Sequence, residues 1–193
     1  MEKEKVVEYF NEKAKKWDEK NKCDDGIIKI ILDNAEFKVG DSVLDVACGT
    51  GIMIPYYLER EAGKVTAIDI SVNMIEIAKE KFKEMDVEFI LGDVEEYCFG
   101  ELFDRIAIYN AFPHFPNPKS IVKCLSGLLK EGGTLTIAHG MSREDIDSHH
   151  RGGAAHISNG LMEADDLEKL FPKELEIITK ISDNRMYQVT GRK

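Results

Sequence analysis

The chain has little of what marks a nucleic-acid-binding, membrane-spanning or secreted protein. Positive charge is scarce: 26 Lys and Arg against 36 Asp and Glu leave a net charge of −10 over 193 residues. No run of Lys and Arg interrupts that balance, so nucleic-acid phosphates would be repelled, and a small molecule is the expected substrate. No apolar stretch approaches the roughly 20 residues that cross a bilayer, so no membrane partner is expected. Met1-Glu2-Lys3-Glu4-Lys5 lacks the apolar core of a signal peptide. The four cysteines (Cys23, Cys48, Cys98, Cys124) form no CxxC pair, which reads as reduced thiols and predicts a cytoplasmic location. Repeats, low-complexity segments and interdomain linkers are also missing. The length suits one domain with a substantial core.

Within that domain, apolar and polar residues change period repeatedly. Val6, Phe10, Ala14 and Trp17 predict an amphipathic helix from Glu4 to about Lys20, and Ile27, Ile28, Ile31 and Ala35 a second over 25–36. Short apolar runs then predict strands at 42–46, 64–69, 87–91, 103–109 and 134–138. Between them lie helices at 52–61, after Ser71, and at 118–130, the last closed by Gly132-Gly133. A helix at 163–171 and an antiparallel pair, 175–181 and 185–190, turning at Asp183-Asn184, complete the chain. Alternating strands and helices predict a doubly wound α/β domain, its parallel sheet covered on both faces. The stretch from His139 to Gly160 is a long irregular insertion.

The first strand ends in Val43-Leu44-Asp45-Val46-Ala47-Cys48-Gly49-Thr50-Gly51, an apolar run, an acid and a glycine turn that opens a helix. Glycines let a ligand approach the main chain, and the helix start offers free N–H groups. Asp69 closes strand two, 24 residues after Asp45, at a spacing suited to ribose hydroxyls. Asp93 follows strand three, where it can accept from an adenine amine. One such acid alone is as readily a cap or turn residue; three beside a glycine loop point to a ligand. The loop lacks a Walker lysine and the third glycine of GxGxxG, and Asp45 would repel a pyrophosphate. A cationic, phosphate-free nucleoside cofactor, S-adenosylmethionine, removes the conflict.

At these residues the chain resembles the class I S-adenosylmethionine-dependent methyltransferases, in particular the small-molecule branch of the ubiquinone and menaquinone biosynthesis enzymes. Residues 43–51 are similar to the first motif, with Ala47 where many members have Gly, 67–71 to the second and 91–95 to the third. Phe10-Asn11-x-x-Ala14-x-x-Trp17-Asp18 resembles the branch's lid helix. The resemblance runs from about residue 5 to 138. It implies a seven-stranded sheet ordered 3-2-1-4-5-7-6 with the last strand antiparallel, and lid helices within 1–37. It also implies cofactor contacts at Asp45, Ala47, Gly49, Gly51, Asp69, Ile70, Met74, Asp93, Val94 and Asn110.

The acceptor side is less determined. Asn110 follows strand four, and Phe112 and Phe115 either wall an apolar pocket or belong to the core. The Asn-Pro-Pro-aromatic motif of amine methylases is missing, since Pro113 follows Phe112. His114 and His139, after adjacent strands, are candidate general bases. Tyr9 and Trp17 on the lid, with Arg143, His149 and His150 in the insertion, are candidate acceptor contacts; simple packing is the alternative for the N-terminal helix. The insertion histidines also admit a metal site or a plain surface loop, but no HExxH-type spacing supports ligation, and no metal residues are assigned. The expected activity is methyl transfer to a small molecule by in-line displacement. The alternatives are a cofactor-binding protein without that chemistry, or a metal-binding member built on the insertion.

Overall fold

Strand β1 (Ser42–Val46) is buried along its whole length, as a central parallel strand must be. It pairs in parallel with β2 (Lys64–Asp69) on one side and β4 (Phe103–Tyr109) on the other. β3 (Val87–Leu91) adds to β2, and β5 (Leu129–His139) adds to β4, both parallel. β7 (Tyr187–Arg192) runs antiparallel to β5 and to β6 (Glu176–Ser182). The resulting order, β3-β2-β1-β4-β5-β7-β6, is the predicted one. The computed structural model describes residues 1–20, 23–149 and 155–193.

Because side chains alternate across a strand, β1 feeds two cores. Val43 packs with Ile28 and Ile31 of α3 (Asp25–Asn34), Ile54 and Tyr57 of α4 (Ile54–Glu59) and Ile75 of α5 (Val72–Lys81). Leu44 and Val46 pack in the other core, with Ile121 and Leu125 of α6 (Pro118–Gly127) and Leu167 of α8 (Ala164–Glu168). Local chemistry sets the helix starts. Asp24 accepts from the N–H groups of Gly26 and Ile27, Ser71 from Met74 and Asn117 from Ser120. Ser142 likewise accepts from Asp145 N–H (3.1 Å) as α7 (Arg143–His149) begins.

The structure corrects two predicted elements. The N-terminal helix is not continuous: α1 (Lys3–Lys13) passes through a 3-10 turn at Ala14–Lys16 into α2 (Trp17–Lys20). Nor do Gly132 and Gly133 end α6, which stops at Gly127, with β5 starting at Leu129. The glycines lie inside β5, where pairing with β4 jumps from Phe103↔Leu129 to Arg105↔Thr134. A Cβ on Gly133 would stand 2.9 Å from the Lys130 carbonyl and 3.0 Å from that of Asp104, so only glycine fits this bulge.

Candidate active site

Beyond Val46 the chain turns sharply: Ala47, Gly49 and Gly51 all have positive φ, at 55°, 56° and 85°. Asp69 holds this loop to β2. Its Oδ2 accepts from Gly49 N–H and its Oδ1 from Ser71 N–H, both at 2.8 Å. The two glycines do different work. A Cβ on Gly49 would meet only Trp17 Nε1, at 3.9 Å, so the Gly49 backbone faces open space under the indole. A Cβ on Gly51 would strike the Phe82 ring at 2.6 Å. Gly51 therefore serves packing and does not line the cavity, contrary to its predicted cofactor contact.

Above the strand ends lies a cavity of about 880 Å³. Asp45, Ala47, Gly49, Asp69, Ile70, Met74, Asp93, Val94 and Asn110 all line it, as do Tyr9, Trp17, His114 and His139. Asp45 is 1 % exposed, and its Oδ2 has no hydrogen-bond partner among the described residues. Burial, together with the nearby Asp69 charge, pushes its carboxyl up to about 8. The Tyr57 hydroxyl stands close enough to favour ionisation but makes no well-formed hydrogen bond. Burial also raises Asp69, held back by the N–H groups that donate to it. Asp93 accepts from Glu95 N–H through Oδ1 and pairs with Lys3 through Oδ2.

The roof comes from α1, α2 and the insertion. Asn11 Oδ1 accepts from Ser71 Oγ (2.7 Å) and Asn73 N–H (3.2 Å), while the Asn11 carbonyl accepts from Asn73 Nδ2 (2.9 Å). Asp18 accepts from Thr50 Oγ1 and pairs with Lys81 at 2.8 Å. Phe10 meets His114 edge-on at 5.0 Å and Trp17 at 5.4 Å, and Tyr9 meets His156 at 5.9 Å. His114 Nδ1 lies 2.7 Å from the Ile157 carbonyl and must donate to it, which places the lone pair of the neutral ring on Nε2. His139 ends β5, 2 % exposed, with its ring edge-on to Tyr187. Asn110, at φ 55°, accepts from Gly140 N–H at 3.0 Å and ties the ends of β4 and β5 together.

Two predicted acceptor contacts fall elsewhere. Phe112 is 2 % exposed in the core under α6, and Phe115, three residues on, lines the cavity in its place. Arg143 is not a cavity residue: it pairs with Asp147 at 3.3 Å and Glu163 at 2.6 Å, bracing α7 against the segment before α8. The His149 side chain and all of His150 lie outside the described residues. Among the described residues no group of three or more His, Cys, Asp and Glu is placed to hold a metal. Sequence reasoning missed Lys3, Asn11, Tyr57 and Ile157. Only Asn11, inside the lid motif, carried a signal; the partners of Lys3 and His114 are 90 and 43 residues away.

The sequence and the fold have known counterparts. Residues 43–133 match the model of a family described as a methyltransferase domain, spanning β1 to the β5 bulge. A malonyl-[acyl-carrier protein] O-methyltransferase of Acetivibrio thermocellus is 32% identical over 133 residues, covering 67% of this chain and 47% of that protein. Over residues 43–133, just under half of its length, the chain carries a methyltransferase domain. A second relative, the ubiquinone biosynthesis O-methyltransferase of Actinobacillus pleuropneumoniae, is 32% identical over 104 residues, 50% of this chain and 44% of that one. The chain spans less than half the length of these curated relatives. Among solved structures, the N-methyltransferase NodS of Bradyrhizobium japonicum in complex with S-adenosyl-L-homocysteine shares the fold at a TM-score of 0.75 and 14% identity, over 97% of each chain. A putative methyltransferase from a Haloferax volcanii complex with the Trm112 activator superposes at 0.78 and 18% identity, over 96% of this chain and 95% of that one. No described helix is long and apolar enough to cross a membrane.

Proposed function

We propose that this chain transfers a methyl group from S-adenosylmethionine to a small-molecule acceptor by in-line displacement. One observation carries the reading: a single cavity has three strand-end acids and the open Gly49 backbone on its floor, with one buried Asp45 oxygen that has no hydrogen-bond partner among the described residues. A cofactor with a cationic amino-acid end and no phosphate fits that donor set, since a positive charge beside Asp45 favours its ionised form. When bound, it supplies a methyl group already activated by a sulfonium leaving group.

The chain's own residues then bind, orient and shield. Asp69 keeps acceptor capacity for ribose hydroxyls beyond its two N–H donors, and Asp93 for an amine. Ile70, Met74 and Val94 offer apolar walls for a flat base. With Nδ1–H tied to Ile157, His114 presents Nε2 as the proton acceptor for an acceptor hydroxyl or thiol, and His139 is the second candidate. The α1 roof excludes water and narrows the approach. The four free cysteines favour a reducing compartment, and the cytoplasm is the proposed location.

Two measurements test this. S-adenosylhomocysteine should bind the chain in calorimetry, and a panel of phenols, thiols and carboxylates should contain a methyl acceptor. In His114→Ala and His139→Ala, transfer should fall about 100-fold or more in at least one variant while S-adenosylhomocysteine affinity holds within about twofold. Normal turnover in both would remove the base assignment.

A further inference from the structure

The cavity is charged unevenly. Acids occupy its floor, but its rim, where α1 passes into the 3-10 turn, carries Lys13, Lys15 and Lys16, all exposed. Acids outnumber bases by ten in this chain, and lysines elsewhere find them readily. Lys29 reaches Glu59 at 3.0 Å, Lys81 reaches Asp18 at 2.8 Å, and Lys180 holds both Asp165 and Glu168 at 2.7 Å. Among the described residues, none of the three rim lysines has a carboxylate partner, although Glu12 shares the rim. Lys13 Nζ lies instead over the Tyr9 ring, 5.4 Å from its centroid. Three like charges within four residues raise the local positive potential at the mouth of an otherwise negative molecule. Inward of them the wall is apolar, with Val6, Phe10, Phe115 and Met141.

We propose that Lys13, Lys15 and Lys16 select the acceptor, which is an apolar molecule bearing a carboxylate or another anionic head. This rests on the methyl-transfer reading of the cavity. The apolar body lies along the roof and His114, and the anionic head stays at the wet rim, where lysine ammonium groups engage it without full desolvation. Net repulsion by the rest of the protein makes this rim the favoured entry for such a ligand.

Trp17, the only tryptophan, lines the same cavity and reports occupancy. The full chain, saturated with S-adenosylhomocysteine, is titrated with octanoate and with 1-octanol, a matched apolar body without the charge. Octanoate should quench Trp17 fluorescence with a Kd about tenfold below that of octanol, and the ratio should shrink in 0.5 M salt, on the order of a 4 Å Debye length. Lys13→Gln, Lys15→Gln and Lys16→Gln combined should abolish the ratio and leave S-adenosylhomocysteine affinity within about twofold. Equal affinities in the unmodified chain, or a ratio that survives the triple substitution, overturns the proposal. So does a triple variant that loses S-adenosylhomocysteine but keeps 5′-methylthioadenosine, which lacks the amino-acid end: the lysines would then hold the donor's own carboxylate. Failure of the unmodified chain to bind S-adenosylhomocysteine overturns the methyl-transfer reading instead.

Discussion

The floor of the cavity is made of strand ends and tight backbone turns, whereas its roof hangs on side-chain contacts from α1, α2 and the 155–157 turn. On the floor, Asp45 and Asp69 are buried beside neighbours fixed by the sheet, and backbone N–H groups at 2.8 Å orient Asp69. In the roof, Asn11, Asp18 and Lys3 reach across 32 to 90 residues through partly exposed side chains. Floor contacts lose strength only if the sheet deforms; roof contacts can break singly, because water replaces each partner at small cost. Under the proposed methyl-transfer reading, the floor would hold the donor and the roof would face the acceptor.

The contrast can be broken at its strongest point first. Asp69→Ala removes the acceptor of Gly49 and Ser71 N–H and the acceptor offered to ribose; S-adenosylhomocysteine affinity in calorimetry should fall about 100-fold. A loss below about fivefold would mean the floor is not the donor site.

Asp45 provides the next test, through the stability of the ligand-free chain. Its folded-state carboxyl is raised from 3.8 to about 8. Between those values the folded state holds a proton that the unfolded state has released, so stability falls as pH rises. The slope from this one group approaches about 1.4 kcal/mol per pH unit and vanishes above about pH 8. Asp45→Asn should flatten denaturant-measured stability across that window. An unchanged slope would mean that Asp45 is ionised in the folded chain.

Roof substitutions should do less. Asn11→Ala removes the two side-chain hydrogen bonds that tie α1 to the start of α5, from Ser71 Oγ and Asn73 N–H, and should cost about 1–2 kcal/mol locally. Hydrogen exchange in 3–13 should speed up by roughly tenfold while β1 and β2 stay protected. Uniform acceleration across the sheet would show that roof and floor unfold together. Smallest of all, Lys81→Gln breaks the exposed pair with Asp18 and should change stability by less than about 0.5 kcal/mol.

Much of the floor was legible in advance because its signals are local. Four strands, 42–46, 64–69, 87–91 and 103–109, begin and end where the apolar runs do. The acids at 45, 69 and 93 sit at or just past their ends, and all three line the cavity. Failures arose where one residue type has two physical uses. Gly132-Gly133 resembles a helix stop but makes a bulge, because three carbonyls crowd Gly133. Gly51 resembles a ligand contact but makes room for Phe82. Phe112 and Phe115 are alike in the sequence; the 3-10 turn at Phe112–His114 sends the first to the core and leaves the second at the cavity. Arg143 looked available until Glu163 came within 2.6 Å.

By itself the sequence determined the parallel sheet, the acids near the strand ends and the glycine loop, since strand period, turn chemistry and charge act between near neighbours. Only the tertiary structure decided that Lys3 pairs with Asp93, that Ile157 sets the His114 tautomer, and that three lysines with no carboxylate partner among the described residues line the cavity above an acid floor. Those are contacts between distant segments, and their energies exist only once the sheet has brought the segments together.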